Sequence, residues 1–180
     1  MNDDTPLDTG RPLVVLDLNV VVSGLLAERS GASTPPAHCL AAARAGALSL
    51  CLSPGILARL RRVLSYPKLA FSEPTVDAIG REIVAWVPRE GWVPDLPVPP
   101  ASSKRRRLCS DPEGETVLRV ALAAGAAFLV TGDAYLLHHL TPEGTRLVRK
   151  GGLAILMARE FLERLPRSRS GRDRAPRSPP

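Results

Sequence analysis

The sequence predicts one α/β domain with a mainly parallel sheet and helices on both faces. Three observations carry that expectation. Leu13-Val14-Val15-Leu16 and the run from Ala127 to Val130 are apolar without alternation, as strands covered on both faces are. Stretches with helical spacing of apolar residues alternate with such runs along the chain. The length, 180 residues, suits one sizeable core.

Residues 1–10 (MNDDTPLDTG) are polar and acidic, a loose leader rather than a signal peptide, and the domain is expected over 11–165. The first strand stops on Asp17, and apolar residues resume from Val20 to Leu26. Ser30 to Pro36 is a loop, after which Pro36 opens a helix through Arg44 with Gly46 just past its end. Leu48 to Leu52 is a short second strand. Ser53-Pro54 reads as a cap followed by proline at the first helical position, and Ile56, Leu57, Leu60, Val63 and Leu64 form the stripe of the helix that follows. Another helix is expected from Glu73 to Trp86. Pro88 to Pro100 is proline-rich, an exposed extended connection. Asp111-Pro112 opens a helix with Val117, Leu118, Ala121 and Leu122 on its buried side, closed by Gly125. The strand Ala127 to Val130 then stops at Thr131-Gly132-Asp133. Tyr135 to Leu140 forms a short helix, Leu147-Val148 and Leu153–Leu156 a last strand or hairpin, and Arg159 to Leu165 a final helix. Residues 166–180, rich in Arg, Ser and Pro, are expected to be disordered.

No window holds the ~18 unbroken apolar residues of a membrane span. Cys39, Cys51 and Cys109 are scattered, without metal spacing, and suit a reducing cytoplasm. The formal net charge of +6 is concentrated in Lys104-Arg105-Arg106-Arg107 and in the arginines beyond Pro166, which leaves a mildly acidic body. Basic segments of this kind favour polyanions.

Two strands end in acids, Asp17 and Asp133, where parallel sheets place their ligand crevices. One helix begins with Asp111, Glu113 and Glu115. Carboxylates converging there would repel one another unless a cation compensates. Oxygen-only donors suit Mg²⁺ or Mn²⁺, which can activate water against a phosphodiester. Glu113 and Glu115 lie about 200° apart around a helix, so both cannot face one site, and periodicity does not choose between them. No glycine-rich phosphate loop supports a nucleotide-binding alternative.

The stretches LDLNV, SPGILARLRRVLSYPKL and DPEGETVLRVALAAGAAFLVTGDAYLL resemble the PIN-domain family, most closely its toxin components of toxin–antitoxin systems, over about Leu13 to Leu165. The resemblance implies a three-layer α/β/α fold and an endoribonuclease dependent on Mg²⁺ or Mn²⁺. It places catalytic, metal-binding acids at Asp17, Glu115 and Asp133, with Asn19 and Thr131 in support. It also implies RNA as substrate, with a cognate antitoxin and a homodimer as partners. The basic run Lys104, Arg105, Arg106 and Arg107 would contact RNA. Four departures stand out: Leu18 replaces the usual Thr, Glu115 stands where Asp is more common, Tyr135 stands where a further Asp is common, and Arg59 occupies the place of the second acid. The alternative is a PIN-like module weakened or inactivated by Arg59 that binds RNA or a protein partner.

Overall fold

The computed structural model describes residues 11–100 and 107–165; the expected leader, Lys104 to Arg106 and the expected tail lie outside the described residues. Four strands, β1 (Leu13–Leu16), β2 (Ser49–Leu50), β3 (Phe128–Val130) and β4 (Ala154–Leu156), form an all-parallel sheet in the order β2-β1-β3-β4. Val14, Val15, Leu129 and Val130 are buried, which is why these strands read as continuous apolar runs. The chain moves from β1 to β2 on one side, then crosses to β3 on the other side of β1. The β1–β3 boundary is therefore the point where winding reverses, and a crevice opens there at the strands' carboxyl ends.

Helices cover the sheet. Between β1 and β2 run α1 (Leu18–Ser30) and α2 (Pro35–Arg44); between β2 and β3 run α3 (Pro54–Leu64), α4 (Glu73–Ala85) and α5 (Pro112–Ala123). After β3 come α6 (Ala134–His138) and α7 (Pro142–Gly151), and α8 (Ala158–Arg164) follows β4. One group packs α1 on α2 and α2 on α8; a second packs α3 on α4, and α5 on α6 and α7. Among the described residues, no helix is long and apolar enough to cross a membrane.

One device starts four of these eight helices. Thr34, Ser53, Asp111 and Thr141 each accept a backbone N–H with the side chain, and a proline follows at once. The Val20–Leu26 stretch lies inside α1, which Asp17 caps. α1 meets α2 so closely that a Cβ on Gly24 would lie 2.7 Å from the Leu40 side chain and 2.9 Å from the Pro36 carbonyl.

Two expectations need correction. Leu147-Val148 belongs to α7, not to a strand or hairpin: Thr141 caps Gly144, and the two apolar residues are one helical face. The Pro88–Pro100 segment is only partly exposed. Leu52 N–H donates to the Gly91 carbonyl, Val93 N–H donates to Leu52, and Gly91 and Val93 are buried, so this part extends the sheet edge beyond β2. A Cβ on Gly91 would sit 2.3 Å from the Leu50 carbonyl oxygen, too close for any other residue without a shift.

Candidate active site

β1 and β3 deliver their last residues to the same place. The Asp17 N–H donates to the Val130 carbonyl at 2.9 Å, continuing the ladder one step past β1. There the backbone turns into α1, and the Asp17 carboxylate becomes its cap, with Oδ1 accepting from Leu18 N–H at 2.7 Å. Oδ2 accepts from the Thr131 hydroxyl at 2.6 Å and from the Asn19 side-chain amide at 3.0 Å. Thr131 is fully buried, and its oxygen also accepts the Asp133 N–H at 3.0 Å. Asn19 completes the tie by accepting the Gly132 N–H at 3.2 Å. A hydroxyl and a carboxamide thus lock the two strand ends to each other.

Asp133 caps α6, with Oδ1 accepting from Tyr135 N–H at 2.8 Å; among the described residues its Oδ2 has no hydrogen-bond partner. Asp17 and Asp133 line a cavity of about 260 Å³ together with Leu18, Asn19, Arg59 and Glu113. Burial pushes the Asp17 carboxyl above its ordinary value. The hydrogen bonds from Thr131 and Leu18 oppose that, the Asp133 charge adds to it, and the Arg59 charge works against it.

The third acid of the cavity is Glu113, and Glu115 does not join Asp17 and Asp133 there. Glu115 is 0% exposed. Its Oε2 accepts the N–H groups of Leu108 and Cys109 at 2.7 and 2.8 Å, and Oε1 accepts from Arg119 at 2.7 Å. The half-turn offset sends one glutamate to the cavity and the other inward, fastening the segment that leads into α5. Arg119, four residues after Glu115, was the signal that could have told them apart, because a Glu–Arg pair at that spacing is self-contained. Arg59 reaches the cavity from α3 and forms an ion pair with Glu113. Arg107 is the one described member of the basic run. Its carbonyl accepts from the Thr141 hydroxyl at 2.6 Å and its guanidinium donates to the Ser110 carbonyl at 3.2 Å, so it braces its own loop.

Two further cavities flank this one. The larger, about 710 Å³, is walled by Val20, Pro35, Pro36, Met157 and Ala158 and shares Asn19 with the central cavity. The other, about 280 Å³, shares Leu18 and Arg59 with it. Asn19 thus borders both the central cavity and the larger one, and Leu18 and Arg59 border both the central cavity and the smaller one.

Among the described residues, no three His, Cys, Asp or Glu side chains lie close enough to hold a metal ion together. Two carboxylates and a carboxamide nevertheless fit Mg²⁺, which commonly takes one or two carboxylates and completes its shell with water and phosphate oxygens. Among the described residues, the unpartnered Asp133 oxygen and the neutral donors that bind the Asp17 carboxylate agree with that donor set.

No curated protein and no solved structure matches the chain significantly. The profile of the PIN domain, a nuclease-type fold whose members are generally hydrolases acting on nucleic acid and usually use divalent metal ions, matches residues 13–134. With that match over an all-parallel sheet, and two aspartates at its winding reversal, the chain belongs to the PIN-domain family.

Proposed function

We propose that this chain is a Mg²⁺- or Mn²⁺-dependent endoribonuclease of the toxin type, acting on single-stranded RNA in the cytoplasm. The observation that carries the reading is the meeting of Asp17 and Asp133 at the carboxyl ends of β1 and β3, with one Asp133 oxygen free of any described partner. In this reading Asp17 and Asp133 hold the ion, Thr131 and Asn19 fix the Asp17 carboxylate, and Glu115 serves by fastening the loop before α5. When bound, the ion supplies an activated water and stabilises charge on the phosphoryl group. The cavities that adjoin the central one give a single strand room beside the scissile phosphate. A cognate antitoxin and a homodimer belong to the proposal through the family resemblance, and RNA contacts by Lys104, Arg105 and Arg106 through their charge.

The Arg59–Glu113 pair favours a second reading, a weakened PIN module that binds RNA or a protein partner without cutting. Purified protein incubated with single-stranded RNA decides between them. Cleavage with Mn²⁺ that stops in EDTA, and stops in a folded Asp17→Asn variant, is the expected result. RNA bound but intact under every metal condition supports the second reading; cleavage that survives Asp17→Asn overturns the assignment of the site.

A further inference from the structure

Arg59 is the single basic side chain lining the central cavity among the described residues, facing Asp17, Glu113 and Asp133. A phosphodiester is itself an anion, and three carboxylates would repel it. The cavity therefore needs positive charge on the protein's side as well as any metal ion. Arg59 is placed to give it: the residue lines both the central cavity and the 280 Å³ cavity. A planar guanidinium matches two phosphate oxygens at once, which an ammonium does not.

The present partner of Arg59 is a weak competitor. The Glu113 side chain is 66% exposed and that of Arg59 is 26% exposed, so water screens the pair and an exchange costs little. Both residues also face the cavity, whereas a purely structural bridge has no reason to line it. We infer that Arg59 is a phosphate-recognition residue, held by Glu113 in the free protein and transferred to a backbone phosphate when nucleic acid enters the groove. Glu113 acts as an internal mimic of the phosphate, released by its arrival. The inference rests on the reading of this cavity as a nucleic-acid site, not on turnover.

The test is fluorescence anisotropy with a fluorescein-labelled polyuridine oligonucleotide in EDTA, where no cleavage occurs. Arg59→Ala is expected to weaken binding about tenfold, as loss of one charged hydrogen bond does. It should lower the salt slope by about 0.7, the share of one phosphate on a single strand. Arg59→Lys, which keeps the charge if the alanine variant folds poorly, should fall between alanine and wild type. Glu113→Gln is expected to tighten binding, and that gain should vanish in Arg59→Ala/Glu113→Gln. Four results overturn the exchange: a wild type that does not bind, Arg59→Ala equal to wild type, Glu113→Gln binding no tighter, or a Glu113→Gln gain that persists without Arg59. The last would mean that only the general field of the pocket had changed. The outcomes separate from those of the nuclease proposal. Opposite shifts for the two single variants without Mn²⁺-dependent cleavage keep the exchange and lose the nuclease; cleavage with like-signed shifts does the reverse.

Discussion

Asp17 and Glu115 are both carboxylates drawn into the protein, and the groups that answer them differ in kind. Glu115 receives two backbone N–H groups and a guanidinium, so its charge is balanced in place by Arg119. Asp17 receives a backbone N–H, a hydroxyl and a carboxamide, all neutral, and the charges that act on it are an aspartate that raises its proton affinity and an arginine engaged by Glu113. The first arrangement is closed and holds a loop. The second is fixed in position but left short of positive charge, which is what a cation site requires.

Removing the closed carboxylate should have the larger effect. Glu115→Ala leaves the Leu108 and Cys109 amides without their acceptor and takes the buried carboxylate away from Arg119, and breaking such a pair costs roughly 3–5 kcal/mol. Urea denaturation at neutral pH measures it. A loss within about 0.5 kcal/mol, the range of an ordinary surface substitution, would show that the two carboxylates do not differ as described.

On the Asp17 side, Thr131→Val removes a donor to Asp17 and the acceptor of the Asp133 N–H in one step. The expected cost is about 1–3 kcal/mol in stability. Groups that orient metal ligands also set affinity, so Mn²⁺ binding by titration calorimetry should weaken about 10–100-fold. A stability loss with unchanged Mn²⁺ affinity would make Thr131 a structural residue only, and the contrast with Glu115 would disappear.

Much of this fold was legible because its signals are local. The strand Leu13–Leu16 and the caps Ser53-Pro54 and Asp111-Pro112 announce themselves within a few residues. α1 gave no clear helical signal because Val20, Val21, Val22, Leu25 and Leu26 surround it with apolar groups, leaving no stripe to read. α7 was missed although Thr141-Pro142 carries the same cap as the others, since Leu147-Val148 next to Leu153–Leu156 imitates a pair of strands. In the site, Asp17 and Asp133 could be located because strand ends fix where side chains go, whereas Asn19 and Thr131 were implied only by the family resemblance. Glu113 and Glu115 could not be assigned from spacing, because the choice depends on which amides the chain folds over the helix start, a tertiary fact.

The smallest effect tests the missing charge directly. Burial raises the Asp17 carboxyl above its ordinary value of 3.8, so between that value and its folded value the native protein holds a proton that the unfolded chain has released. Native protein then binds more protons than unfolded chain, and stability falls as pH rises through this window. Below the window the penalty is absent; at neutral pH it is complete. Urea denaturation across acidic to neutral pH in EDTA should therefore show a downward contribution in the wild type that Asp17→Asn lacks. Mn²⁺ should cancel it, because a bound cation favours the ionised carboxylate that burial disfavours. Identical pH slopes in the two proteins would mean that neutral donors suffice for Asp17, and the reason for a cation at this strand end would be gone.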